Sequence, residues 1–138
     1  MNRAPNRLRT VQTGAVGMMI IMWLAIVVLL GIAAIDAGSI AFTKFRLAEV
    51  ASTASTAAAN AFRVTPNTVT ACLAAEASVA AEDASAKLAR KGCIVNAQTG
   101  MVTITVRKEA KTIIAGRLGF TKHFTKVSAA ETNGPTAL

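Results

Sequence analysis

The chain has no tyrosine, one tryptophan and one histidine among its 138 residues. With so few large aromatics, any globular core must be made from Val, Ile, Leu and Ala, and it will be thin. The single histidine, His123, sits in a Thr/Lys/Phe stretch and is read as a surface or sheet residue. With only Cys72 and Cys93 beside it, the chain has a poor zinc-ligand set. Acidic residues number 7. Glu82 and Asp83 are adjacent, so on a helix they diverge rather than face each other across a cleft. No serine stands in a nucleophile elbow, and Gly116-Arg117-Leu118-Gly119 is too short to cradle a phosphate. The composition therefore points away from an enzyme and implies no cofactor and no small-molecule substrate.

Another absence organises the chain. From Gly14 to Ile35 there are 22 residues with no charge and no proline. A helix of that length rises about 33 Å, against a hydrocarbon core of about 30 Å. Three readings suit such a run: a membrane-spanning helix, a cleaved signal peptide, or a buried helix of a soluble domain. The apolar core of a signal peptide spans only about 7–15 residues. The remaining chain is too small to wrap a wholly apolar helix. A single-pass anchor is the reading adopted.

The basic leader, residues 1–13, carries Arg3, Arg7 and Arg9, whereas Asp36, Lys44, Arg46 and Glu49 nearly cancel after the run. Short basic flanks stay in the cytoplasm. This places the N-terminus inside the cell, in the cytoplasmic (inner) membrane, and the C-terminal domain outside. The formal net charge of +8 is read mainly as a solvated surface. It leaves open attraction to DNA, anionic lipid or another acidic polymer.

No proline occurs between Asp36 and Phe62, and Ala dominates. One helix is expected from about Ala15 to about Ala61. Two groups of small residues suit helix packing: Ala33, Ala34, Ala37 and Gly38 at the outer boundary, and Ala48, Ala51, Ala54 and Ala58 above it. Asp36 fits either an anion at headgroup level or a charge partner for a basic group of a neighbouring subunit.

Thr65-Pro66-Asn67 breaks the helix and starts a second one, ending between Ala86 and Arg90, with Val69, Cys72, Leu73, Val79 and Ala80 on one face. Cys93–Val95 reads as a short strand, residues 96–100 as a hairpin loop, and Met101–Arg107 as an alternating strand. Glu109–Arg117 reads as a short helix, Thr121–Ala130 as a last strand, and residues 131–138 as a tail. The fold class is α+β: a long N-terminal transmembrane helix continuing outward, a second helix, and a small C-terminal three-stranded sheet with a short helix. Residues 62–138 form the exported domain.

A Cys72–Cys93 disulfide suits an oxidising compartment, but bridged Cα atoms lie within about 7 Å. A helix kept straight to Arg90 would hold the two apart. The bond requires the helix to end near Ala86 and the chain to return extended. Phe120, Lys122, Phe124 and Lys126 would share one strand face. That face is either a nucleic-acid contact by stacking and charge, or two core rings covered by lysine stems.

In this order the features resemble the TadE/TadG-like proteins of tight-adherence (Flp) pilus assembly. The residues that carry the likeness are Gly14 before a single apolar helix, Ile35-Asp36-Ala37-Gly38 closing it, the Ala-rich stretch Ala48–Phe62, Ala71-Cys72, and VTITVRKEAKTIIAGRLGFTKHFTKVSA. The resemblance implies a pilin-like or pseudopilin role beside other pilus subunits. It also makes Gly14 and Ala15 the two sides of a candidate prepilin-peptidase cut. Pilins and pseudopilins usually carry Glu five residues after the cut, where Met19 stands here. That departure favours an uncut, anchored accessory protein. The alternatives are an exported basic module that binds DNA or acidic polymer, as competence pseudopilins do, and a soluble protein secreted after cleavage.

Overall fold

A computed structural model describes residues 11–117, 119, 121 and 123–135, with side chains from Val16 onward. The architecture is α+β. Helix α1 spans Val11–Val64 and helix α2 spans Thr68–Glu82. Three strands follow: β1 (Lys87–Val95), β2 (Val102–Glu109) and β3 (Lys126–Asn133). They form an antiparallel sheet in the order β1-β2-β3. The chain divides into two compact units at Ile35/Asp36.

The first unit is the apolar half of α1. Its large side chains from Val16 to Ile35 face outward, and it is long and apolar enough to cross a membrane. The described part of the helix already includes Val11, earlier than the expected Ala15, and it ends at Val64, about one turn later than expected.

The second unit holds the core. Residues of α1 from Leu47 upward lose their solvent contact: Leu47, Val50, Ala51, Ala54, Ala58, Ala59 and Phe62 are buried. They form one cluster with Ala71, Ala75 and Val79 of α2 and with Val102, Ile104, Val106 and Val127 of the sheet. Burying a side chain such as Leu47 or Ile104 contributes about 1.5–3 kcal/mol. Among the small residues named from sequence, Ala51, Ala54 and Ala58 lie inside this core and Ala48 is half-buried. Ala33, Ala34, Ala37 and Gly38 are exposed.

Asn67 caps α2, its side chain accepting the Val69 N–H at 2.8 Å. The buried stripe of α2 is Ala71, Ala75 and Val79, at four-residue spacing. Val69 and Leu73, expected to face inward, are exposed. Small residues suit that stripe because the core beside it is itself largely alanine, where larger groups would overpack.

Helix α2 stops at Glu82, and Asp83 takes extended backbone angles. Strand β1 then starts at Lys87, well before the expected Cys93. Its pairing with β2 shifts register between Leu88 and Cys93. Lys91 has φ 60° there. A Cβ on Gly92 would sit 2.5 Å from the Thr105 carbonyl oxygen, so the bulge requires glycine. The β1–β2 turn is fixed by Asn96, whose side chain accepts the Gln98 N–H at 3.0 Å, and by Gly100 at φ 71°. Val102, Ile104 and Val106 point into the core, as the strict alternation of β2 requires.

Two further expectations are corrected. Residues 113–117 form bends and turns, not the short helix read over Glu109–Arg117. Strand β3 is displaced toward the C-terminus: residues 123–125 are turns, and Glu131–Asn133, read as tail, complete the strand.

Candidate functional site

The residue with the most distinctive surroundings is Asp36. It is the first residue after the apolar run and retains only 6% of its exposure. One carboxylate oxygen accepts the Ile113 N–H at 2.6 Å. The other accepts the N–H groups of Ile114 and Ala115 at 3.0 and 2.9 Å. Three converging backbone donors favour the ionised form, so the Asp36 pKa lies below the usual carboxylate range, with Ile113 the largest cause, then Ala115 and Ile114. The Ser39 hydroxyl donates to the Lys111 carbonyl at 2.6 Å, beside the same loop. Asp36 is therefore held by its own chain's backbone, a partner that neither expected role named.

This clamp explains why Glu109–Arg117 is not helical. Its backbone donors at 113–115 are turned toward Asp36, while the Thr112 hydroxyl accepts the Gly116 N–H at 2.8 Å. Lower in the same loop, the Thr121 hydroxyl donates to the Ala115 carbonyl at 2.6 Å. The Ala110 N–H donates to Thr125 at 2.8 Å and closes the loop's base.

A second tie lies at the far end of β3. The Asn133 amide donates to the Ser52 carbonyl at 3.1 Å and to the buried Ser55 hydroxyl at 2.7 Å. From Asp36 to Ser52 is 16 residues of α1, about 24 Å. The β2–β3 loop and the end of β3 are thus each bonded to α1, at sites about 24 Å apart along the helix.

Cys72 and Cys93 are bonded, with Cα atoms 5.9 Å apart. The bond joins α2 to the edge strand β1, and α2 ends early enough for the chain to return. Asp83 supplies another link between these elements. It accepts from the Lys108 ammonium of β2 and, at 2.6 Å, from the Ser85 hydroxyl. Lys108 is the first cause of the lowered Asp83 pKa and Ser85 the second.

The expected aromatic–basic face does not form as a strand face. Phe124 is exposed in a turn, while Lys126 is the first residue of β3 and pairs across the ladder with Glu109. The reason is that β3 begins only at Lys126, so no strand alternation links the two. Phe120 and Lys122 lie outside the described residues. Lys126 instead lines a cleft of about 640 Å³ with Lys87 and Arg107. Gly14 and Ala15 lie in the early turns of α1. Among the described residues, no three His, Cys, Asp or Glu side chains gather in a way that could hold a metal.

Sequence reasoning missed the Asp36 clamp, the Asn133 tie and the Asp83–Lys108 pair. The first leaves no side-chain signature, because its donors are backbone N–H groups 77–79 residues away. No family model, no curated protein and no solved structure matches the chain.

Proposed function

We propose that this chain is a membrane-anchored accessory protein, minor pilin-like, of a tight-adherence or type IV-like pilus or a related secretion apparatus. It works by helix packing and protein–protein contacts rather than by catalysis. The observation that supports this most is the use of α1 for two purposes. Its first unit is apolar and exposed, as a bilayer span requires. Its second unit is the central helix of a small domain, with a sheet and a second helix packed on it. The Cys72–Cys93 bond supports an oxidising, extracytoplasmic side for that domain. The basic leader supports a cytoplasmic N-terminus.

The exposed small residues Ala33, Ala34, Ala37 and Gly38 give a neighbouring helix room for close approach, and other pilus subunits are the proposed partners. The membrane is the inner one. Met19, where pilins and pseudopilins usually carry Glu, favours an uncut anchor.

Deletion of the gene is the direct test. Loss of surface pili or adherence with unimpaired growth is the expected result, and normal piliation overturns the proposal. The intact mass and N-terminal sequence of the membrane-extracted protein decide its processing. A start at Met1 or Asn2 fits a fixed anchor, and a start at Ala15 fits pilin-type cleavage. A start near Ala37 fits secretion and excludes the anchor.

A further inference from the structure

We propose that the β2–β3 loop rests on the headgroups of an anionic bilayer, with Ile113 entering the interface and Lys111 and Arg117 meeting lipid phosphate. The inference builds on the reading that the apolar run spans a membrane. Asp36 follows Ile35 directly in the chain. The backbone of residues 113–115 is bonded to Asp36. Whatever bilayer the run occupies, this loop is therefore held within about one helical turn of its boundary residue.

The loop's composition fits that position. Residues 110–125 include Lys111, Arg117 and Lys122 and no Asp or Glu. The same stretch holds Ile113, Ile114, Leu118, Phe120 and Phe124. Basic and aromatic residues without acidic ones characterise segments that sit at an anionic interface. Exposure adds an independent observation. Ile113 is 54% exposed and Phe124 66%, although the loop backbone between them is bonded at several points. Lys111 and Arg117 are exposed too. Asp36, the carboxylate bonded to this loop, has its charge directed at three backbone donors. A well-fixed loop that leaves its large apolar side chains outside the core offers them to another apolar phase. Lipid is the phase that chain continuity supplies.

The test uses the full chain with Trp23→Phe and Ile113→Trp, reconstituted in phosphatidylcholine/phosphatidylglycerol vesicles. Phe124→Trp provides a second reporter at another exposed position. Lipids brominated at the headgroup end of the acyl chain should remove most of the new indole's emission, and aqueous iodide should have little effect. The quenching should fall in phosphatidylcholine alone and in a Lys111→Ala/Arg117→Ala variant. It should disappear in Asp36→Asn, which weakens the clamp. Emission quenched by iodide and untouched by bromolipid in both reporters overturns the proposal, as does equal quenching with and without the anionic lipid. The native Trp23 separates the two levels. If deep bromines fail to quench Trp23, the spanning helix itself is wrong. If they quench Trp23 but not the loop reporters, only the loop assignment falls.

Discussion

Asp36 and Asp83 each hold distant pieces of chain together through an ionised carboxylate. Both have folded pKa values below their unfolded ones. Their contribution is complete above the ordinary carboxylate pKa of about 3.9. As pH falls below that value the unfolded state takes up protons first, and the stabilisation is lost progressively toward the lower folded pKa. Urea unfolding of the full chain in detergent should therefore show a lower midpoint at acid pH than at neutrality. Asp83→Asn should flatten that acid limb while lowering stability at neutral pH. An unchanged pH profile in the variant would sink the assignment.

Gly92 gives a second prediction at this scale. A methyl group there meets the Thr105 and Ala89 carbonyl oxygens at 2.5 and 2.8 Å. Gly92→Ala should cost about 1–3 kcal/mol, the usual penalty of forcing atoms into filled space. Gly119→Ala, with nothing within 4 Å of its added carbon, is the control and should shift the denaturation midpoint little.

At the scale of elements, the disulfide closes a segment of 21 residues between α2 and β1. Loop-closure entropy assigns such a bond about 3 kcal/mol. Reduction, or the double Cys72→Ser/Cys93→Ser change, should lower the unfolding free energy by that order. Similar denaturation curves with and without reductant would contradict it.

The elements differ in how plainly the residues announce them. Helix α1 was legible because nothing interrupts it before Pro66, and the start of α2 because Asn67 is a strong cap. Strand β2 was legible from its alternation. The first half of β1 was not, since Lys87-Leu88-Ala89-Arg90-Lys91 has no apolar period and its pairing depends on a bulge. The stretch from Glu109 to Arg117 has helix-forming residues that Asp36 overrides from far along the sequence. Likewise, β3 begins late because residues 110–125 are drawn into a loop closed at Ala110 and Thr125.

On the scale of the whole molecule, the two units have opposite needs. The first presents apolar side chains that water cannot solvate well. The second contains every residue of the buried cluster, from Leu47 to Val127. Residues 36–138 should therefore fold without the apolar run, and circular dichroism should give a cooperative thermal transition for that fragment under oxidising conditions. A fragment that shows no cooperative transition would mean that the run contributes to the domain's stability.

The two ties to α1 also have a mechanical consequence. The Asp36 clamp joins the β2–β3 loop to the helix, and the Asn133 tie joins the end of β3 to it, about 24 Å apart. A force directed along the helix axis loads both fastenings together, in shear. A force directed away from the axis opens them in turn, as a zipper opens. Single-molecule stretching of the domain should thus require more force in the axial geometry than in the peeling one, and equal forces would mean that the ties carry no load. The domain is built to resist sliding along its own helix.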